Sequence, residues 1–238
     1  MIDKLQQIID ESDNIVFFGG AGVSTESGIP DFRSQDGLYH MKYDYPPEQI
    51  LSDSFFYNKP KEFYKFYFDK LINQDIKPNY THTFLKELED VGKLKAIVTQ
   101  NIDGLHEKAG SKTVYLLHGT VSINHCTKCN KEYTLDDILK MGEVPTCECG
   151  GIIKPDVVLY GEMLPNDMFE GAIKAISKAD TLIVGGTSLT VYPAAGLIHY
   201  FNGKNLIIIN RDHLDIDCTL QINDSIGETF KRIKIRKW

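Results

Sequence analysis

Four cysteines, Cys126, Cys129, Cys147 and Cys149, fall in one short stretch with the spacing C-x2-C…C-x-C. Each tight cysteine turn supplies two corners of a tetrahedron, and residues 130–146 are long enough to bring the second pair back to the first. The pattern reads as a zinc ribbon, closed and structural because protein fills all four ligand positions. Four buried or disulfide-bonded cysteines are the alternative reading. Cys126 stands eight residues beyond the dipeptide His118-Gly119, so the first strand of the metal module begins just after a candidate catalytic base. His125 adjoins Cys126 but is not counted as a ligand, since four thiolates already complete the tetrahedron. The fifth cysteine, Cys218, lies in an apolar stretch without an obvious partner.

A chain of 238 residues with 42% hydrophobic content can bury a full core, and one large domain carrying a small one fits it better than two equal halves. No apolar run approaches the ~20 residues of a spanning helix, and Met1 opens directly into the amphipathic stretch 3–11, so neither a membrane span nor a signal peptide is expected. Zinc thiolates suit a reduced, cytoplasmic setting. The formal charge is −7, and the one basic run is Lys231-Arg232-Ile233-Lys234. That balance argues against direct nucleic-acid binding and mildly favours cationic partners such as lysine-rich protein tails.

Short apolar runs rich in β-branched residues occur at 14–18, 96–99, 114–117, 157–159, 181–184 and 205–209. Segments of helical period, 61–72, 80–90, 167–177 and 225–235, lie between or after them. Short buried strands alternating with helices predict an α/β fold, a doubly wound parallel sheet covered on both faces. Two stretches break the alternation. One is 37–58, aromatic and proline-bearing, read as a mobile loop leading to short helices; the other is the cysteine module.

The first strand runs into Gly19-Gly20-Ala21-Gly22-Val23-Ser24-Thr25. Clustered glycines followed by Ser/Thr capping residues are how a dinucleotide pyrophosphate is held, with the backbone close and helix N–H groups aimed at phosphate. A plain tight turn has the same signature. The acidic ribose-binding residue expected about twenty residues on is replaced by the irregular stretch, so the motif is either a false match or a nucleotide site with an insertion. Three further clusters weigh on this choice: Gln100-Asn101-Ile102-Asp103-Gly104-Leu105-His106, Gly185-Gly186-Thr187-Ser188-Leu189 and Asn210-Arg211-Asp212, each after a predicted strand. In a parallel sheet all four lie along one edge, which simple turns do not explain.

The segment Gly20-Ala21-Gly22-Val23-Ser24 to Gly28-Ile29-Pro30-Asp31-Phe32-Arg33, with Thr99-Gln100-Asn101-Ile102-Asp103-Gly104-Leu105-His106, His118-Gly119, the four cysteines and Gly186-Thr187-Ser188-Leu189, resembles the sirtuins. These are NAD-dependent protein lysine deacylases, and the resemblance covers nearly the whole chain, most like a small bacterial or archaeal member. Even Pro78-Asn79…His82…Leu85 is in place, where His82 is expected to pack or cap rather than react. The resemblance implies a Rossmann-like NAD-binding domain of residues 1–36, 73–120 and 153–238. The small domain would combine the helical insert and cofactor loop 37–72 with the zinc ribbon 121–152.

The resemblance also implies roles. NAD is the co-substrate, one Zn2+ is structural, and acyl-lysine proteins or peptides are the partners. His118 matches the family's base, and Asn101 and Asp103 complete the catalytic set. Asp103 and Ile102 would fix the nicotinamide carboxamide, and Gln100 and Asn101 would orient ribose hydroxyls and a water. Phe32 would shield the reacting ribose carbon, and Arg33 would bind phosphate or ribose through its fixed charge. Gly20, Ala21 and Thr25 sit at the diphosphate turn with Gly186, Thr187 and Ser188 opposite; Asn210, Asp212 and Ile226 fit the adenosine. Val157, Val158, Leu159, Tyr160, Gly161 and Glu162 resemble the segment that takes an extended peptide as an added strand. Thr190, Val191 and Tyr192 would close its other side.

Members that remove acidic acyl groups carry a Tyr-x-x-Arg pair; by position Tyr67 matches the tyrosine and Lys70 replaces the arginine. Lysine lacks the bidentate fork that matches a carboxylate, which favours acetyl or other uncharged acyl groups. Mono-ADP-ribosyl transfer could use the same residues. A non-catalytic NAD sensor would have no need of a base, and a dehydrogenase would need the missing acidic residue.

Overall fold

Every residue of Ile15–Gly19 and of Thr181–Gly185 is buried, as strands covered on both faces require. The computed structural model describes residues 1–31, 37, 43–72 and 75–236. In chain order the strands are β1 (Ile15–Gly19), β2 (Leu94–Thr99), β3 (Val114–Leu116), β4 (Gly119–Cys126), β5 (Glu132–Thr134), β6 (Ile153–Val157), β7 (Thr181–Gly185), β8 (Asn205–Ile209) and β9 (Leu220–Ile222). The α-helices are α1 (Ile2–Glu11), α2 (Pro47–Ile50), α3 (Asp53–Asn58), α4 (Pro60–Phe66), α5 (Tyr80–Asp90), α6 (Leu105–Lys108), α7 (Leu135–Leu139), α8 (Asn166–Lys178) and α9 (Ile226–Phe230).

Six strands form a parallel sheet in the order β3-β2-β1-β7-β8-β9. Alternation of side chains divides each strand between two cores. Ile15, Phe17, Ile97, Ile183 and Ile207 pack with residues of α1, α5 and α9 on one face. Val16, Phe18, Val98, Leu182, Val184 and Ile208 pack with α8 and the 3-10 helix Ala194–Tyr200 on the other. Within α1, Leu5, Ile8 and Ile9 recur at helical spacing and are all buried.

The cysteine segment builds a second sheet, antiparallel, in the order β5-β4-β6. It shares a third core with α2, α3 and α4, where Phe56, Phe63 and Tyr64 are fully buried beside Cys126, Cys147 and Ile153. The Tyr64 hydroxyl donates to the Ile153 carbonyl and joins helices to sheet.

Several sequence expectations are corrected here. The run 157–159 does not form a strand of the parallel sheet. The strand is Ile153–Val157, paired antiparallel with β4, because Val157 and Leu159 belong to the core of the small sheet. The helix expected over 61–72 ends at Phe66 and continues as a π-turn, Tyr67–Leu71. The helix expected over 225–235 stops at Phe230. Beyond it the chain is held by α1, where Gln6 accepts from the Lys234 N–H (2.8 Å) and donates to the Lys234 carbonyl (2.9 Å).

His82 both packs and caps, as expected. Its Nδ1 accepts from the Asn79 N–H (3.2 Å) in a capping box at the start of α5, and its ring lies 4.7 Å from that of His106. Burial holds His82 down at about 4; burial, helped by His82, holds His106 down at about 3. Both lie below the ~6.5 of an unfolded histidine. The unfolded chain therefore takes up protons first, and the stability from keeping both rings neutral is complete above pH 6.5 and lost as the pH falls toward 4. The expected loss is about 1.4 kcal/mol per pH unit for each histidine. Urea midpoints at pH 7.5 and 5.0 should fall less in His106→Leu than in the unsubstituted protein, and an equal fall would remove His106 from the account.

Candidate active site and metal centre

The parallel sheet reverses its winding between β1 and β7, and open α/β sheets bind ligands beyond the strand ends at such a point. Backbone bonds gather the predicted clusters there. The Gln100 N–H donates to Gly19 O (2.9 Å), Gly20 N–H to Gly185 O (3.2 Å), and Gly186 N–H to Ile209 O (3.3 Å). The turn after β1 and the turn after β7 touch backbone to backbone, Gly22 N–H donating to Gly186 O at 2.8 Å. A Cβ on Gly22 would lie 2.7 Å from Gly186 Cα, and one on Gly186, whose φ is +61°, would lie 2.5 Å from Val23 N. These glycines therefore close one turn on the other, a task the sequence reading assigned to approach of phosphate. The chain after β1 also forms two 3-10 turns, Ala21–Val23 and Thr25–Ser27, where helix N–H groups aimed at phosphate were expected.

Three side chains meet inside this junction. The buried Ser24 Oγ donates to Asp103 Oδ2 (2.6 Å) and accepts from Asn101 Nδ2 (3.1 Å), and Asp103 Oδ1 accepts from the Leu105 N–H (2.9 Å). Burial pushes the Asp103 carboxyl up, against the pull of these two donors. Ser24 was absent from the candidate site residues. Its place in the glycine-rich turn was the available signal, but serine there reads as a cap.

His118 stands in the turn between β3 and β4. A Cβ on the following Gly119, at φ +75°, would lie 1.8 Å from Asp156 O, so only glycine lets β4 start against β6. The Val158 N–H donates to His118 O (3.0 Å). His118 Nδ1 lies 3.0 Å from Gln100 O. A carbonyl can only accept, so Nδ1 carries the proton and Nε2 keeps its lone pair. Burial lowers the His118 pKa, opposed by the bond to Gln100.

The remaining candidates are spread along the same edge. Gln100 Nε2 donates to Thr187 Oγ1 (3.2 Å), and Thr187 is buried. Ser188 Oγ is 2.8 Å from Thr190 Oγ1. Asn210 stands one strand further out and donates to Asp212 O (3.3 Å). Ile226 is buried beneath Gly185, and the N–H of Gly227 next to it donates to Glu26 (3.1 Å), which sits in the second 3-10 turn. Phe32 and Arg33 lie outside the described residues. In the segment 157–162, the N–H groups of Val158, Leu159 and Tyr160 are already given to His118 O, Glu162 Oε2 (2.8 Å) and Leu51 O (2.9 Å). Tyr160 and Tyr192 are exposed. Val191 is half-buried, and Gly161 has φ +97°.

The four sulfurs of Cys126, Cys129, Cys147 and Cys149 all lie within 4.8 Å of one another. The closest contacts are 3.3 Å (Cys126–Cys149) and 3.6 Å (Cys129–Cys147), far from the ~2.05 Å of a disulfide. Tetrahedral zinc with bonds of about 2.3 Å needs sulfurs about 3.8 Å apart. The Tyr133 hydroxyl donates to Cys147 Sγ (3.1 Å) and holds that thiol down at about 6. The donor set fits structural zinc, and His125 is engaged instead by Asp156 (2.8 Å).

The Tyr67 hydroxyl is buried without a hydrogen-bond partner among the described residues, and Lys70 is engaged by its neighbour in sequence. Tyr67 is fully buried, stacked on Phe63, and Lys70 pairs with Asp69 (3.0 Å) and lies over the Tyr43 ring.

The Sir2 family model matches residues 20–193. The chain belongs to the Sir2 family. Among its relatives is a Clostridium perfringens protein named NAD-dependent protein deacetylase, 58% identical over 98% of each chain. A Clostridium acetobutylicum protein of the same name is 55% identical over 98% of this chain and 97% of its own. Solved Sir2 structures superpose over nearly the whole molecule. One, a histidine-to-alanine variant holding a deacetylated p53 peptide and 3′-O-acetyl-ADP-ribose, gives a TM-score of 0.91 at 39% identity over 97% of this chain and 96% of that one. Another, holding a p53 peptide and NAD+, gives 0.88 at 39% identity over 98% and 96%.

For this Sir2 chain the sulfur geometry predicts one zinc per molecule, readable by atomic absorption. Cys147→Ser should release it and lower the thermal midpoint, because metal binding contributes directly to folding free energy. A stable quadruple Cys→Ser protein with unaltered melting would end the assignment.

Proposed function

We propose that this protein is an NAD-dependent protein lysine deacetylase, moving the acetyl group of acetyl-lysine to the ADP-ribose of NAD and releasing nicotinamide. The observation that carries the reading is the bond from His118 Nδ1–H to Gln100 O, which leaves Nε2 as a free proton acceptor at the strand edge. A protein that only sensed NAD would have no use for that base. The names of the relatives and the ligands of the solved Sir2 structures support the same reaction.

The residues present fit NAD. Glycine backbone at the β1 and β7 turns and the second amide hydrogens of Gln100 and Asn101 offer donors along one edge. The Thr25 hydroxyl, which itself donates to Gly22 O (3.0 Å), can accept there, and Asn210, Asp212 and Ile226 stand at the far end. When bound, NAD supplies the nicotinamide–ribose bond that breaks and the ribose that accepts the acyl group. Asp103 accepts the carboxamide N–H beside Ile102, and its second oxygen is fixed by the Leu105 N–H. Asn101, steadied by Ser24, orients a ribose hydroxyl and a water. His118 Nε2 takes the hydroxyl proton, and burial of the ring keeps it neutral and able to do so. By the family resemblance Phe32 would shield the reacting carbon and Arg33 would hold phosphate or ribose; both lie outside the described residues. Zinc plays no part in the chemistry: Cys126, Cys129, Cys147 and Cys149 would close its coordination.

The peptide lies along Val157–Glu162 with Val191 and Tyr192 opposite. The N–H groups of residues 158–160 are engaged within the chain, and so are the carbonyls of Val157 (Lys154 Nζ, 3.1 Å), Leu159 (Glu162 N–H, 3.0 Å) and Tyr160 (Asp53 N–H, 3.0 Å), so a peptide added as a strand would share or displace those bonds. Residues 1–36, 73–120 and 153–238 form the cofactor domain, and 37–72 with 121–152 the small one; the pairing of β6 with β4 argues for moving the return point to about Val157. Among the described residues no helix is long and apolar enough to cross a membrane, and thiolate ligands suit the cytoplasm.

His118→Ala should cost ~10²–10⁴-fold in kcat/KM for an acetylated peptide with NAD, without loss of zinc. The acid limb of the pH profile should lie below the ~6.5 of a free histidine, since burial lowers the His118 pKa. A limb at or above 7 would show that another group is titrating. The pairing of Lys70 with Asp69 supports a preference for uncharged acyl groups. The protein should deacetylate far faster than it desuccinylates one peptide, and Lys70→Ala should leave deacetylation within about two-fold, as expected of a partly exposed ion pair. Comparable succinyl and acetyl rates would reverse that conclusion.

A further inference from the structure

We propose that Asn79 is a positioning residue for the cofactor turn, one side chain serving at once as the cap of α5 and as a clamp on the two 3-10 turns after β1. This rests on the reading that residues 21–27 hold the NAD diphosphate. Every polar atom of Asn79's side chain is used. Oδ1 accepts from the Thr81 N–H (2.8 Å), the bond of a helix N-cap. Nδ2 points the other way and donates twice, to Val23 O (2.8 Å) and to Ser27 Oγ (3.0 Å). Val23 closes the first 3-10 turn and Ser27 the second, so one amide spans both turns. The backbone N–H of Asn79 is fixed in turn by His82 Nδ1, which locks the direction of the side chain.

The turn is held on its other sides by Gly186 at Gly22, by Asp103 at Ser24 and by Gly227 at Glu26. Asn79, at the start of α5, and Gly227, in α9, are the holds that come from the face of the sheet covered by α1, α5 and α9. A serine or aspartate would cap α5 equally well, since both accept the N-terminal N–H. Neither can replace the double donation: serine is too short, and aspartate presents an oxygen to the Val23 carbonyl. Asparagine alone among the good caps satisfies both sides, and this requirement separates a positioning role from a structural one.

The experiment compares Asn79→Asp, Asn79→Ser and Asn79→Ala in the zinc-loaded protein, using NAD and an acetyl-lysine peptide. The Asp and Ser variants should melt later than Asn79→Ala, because they retain the cap. Their kcat/KM for NAD should fall about five-fold or more, the scale of one lost hydrogen bond, while KM for peptide stays within two-fold. Asn79→Ala should show the same kinetic loss and melt earlier. Asp and Ser variants that keep kcat/KM for NAD within two-fold of the unsubstituted protein would overturn the proposal, as would a loss shared equally by NAD and peptide. If Asn79→Asp does not fold, Asn79→Ser decides alone. An unsubstituted protein that turns over no acetyl peptide with NAD would instead fail the underlying reading of the site.

Discussion

The contact between Gly22 and Gly186 is the constraint on which the site depends. It joins the turns after the two central strands at the point where the sheet reverses its winding, and it works because neither residue has a side chain. A backbone bond of 2.8 Å replaces what would otherwise be a layer of side chains. The turn after β1 is thereby drawn inward, far enough for Ser24 Oγ to reach Asp103 across a separation of 79 residues in sequence. Asn101 and Asp103 take their orientation from that serine, and Gln100 beside them sets the tautomer of His118. Two short runs of hydrogen bonds, Asn101–Ser24–Asp103 and His118–Gln100–Thr187, lie around the glycine pair.

Much of this was legible in the sequence, and the reasons differ by feature. The central strands announce themselves because a strand buried on both faces must be continuously apolar, as Ile15-Val16-Phe17-Phe18 is. The cysteines do so because tetrahedral ligation restricts their spacing. His118 was legible through its place beside glycine at a strand end together with the family resemblance. The weak points are elements whose shape depends on distant partners. β9 is only three residues long, with the polar Gln221 at its centre and only one neighbouring strand, and no periodicity can signal it. The helix after Ser225 has the right pattern to continue but is stopped by bonds to Gln6, 228 residues away. Val157 and Leu159 read as part of the large sheet because an apolar run cannot say which core it enters. Ser24 looked like a cap because the carboxylate it serves comes from another strand.

The electrostatics follow the same geometry. Burial raises Asp103 and lowers His118, so each is biased toward its neutral form. For His118, the proposed base, neutrality would be the working state, and the Gln100 carbonyl makes the choice of ring nitrogen as well. For Asp103 burial opposes ionisation, and the donors Ser24 and Leu105 counter it. The serine therefore links position to charge: it aims the carboxylate and favours the form that can accept an N–H. His82 and His106 are buried neutral without such chemistry, and their lowered values report packing behind the site.

The metal module explains its own distance from the reaction. β4 runs from Gly119, directly after His118, to Cys126, the first cysteine of the cluster, roughly 20 Å away for a strand of eight residues. Its start is fixed against Asp156 O by a glycine that admits no Cβ, and its end pairs with Ile153 on β6. Ile153 accepts from Tyr64, and Cys126 and Cys147 lie in the same core as α2, α3 and α4. Four thiolates held around one ion would thus set the height of β6 against β4, and β6 runs on to Val158, whose N–H holds the His118 carbonyl. A metal with no open coordination position would still bear on the backbone around His118, because β4 ends and β6 begins in the core that includes Cys126 and Cys147.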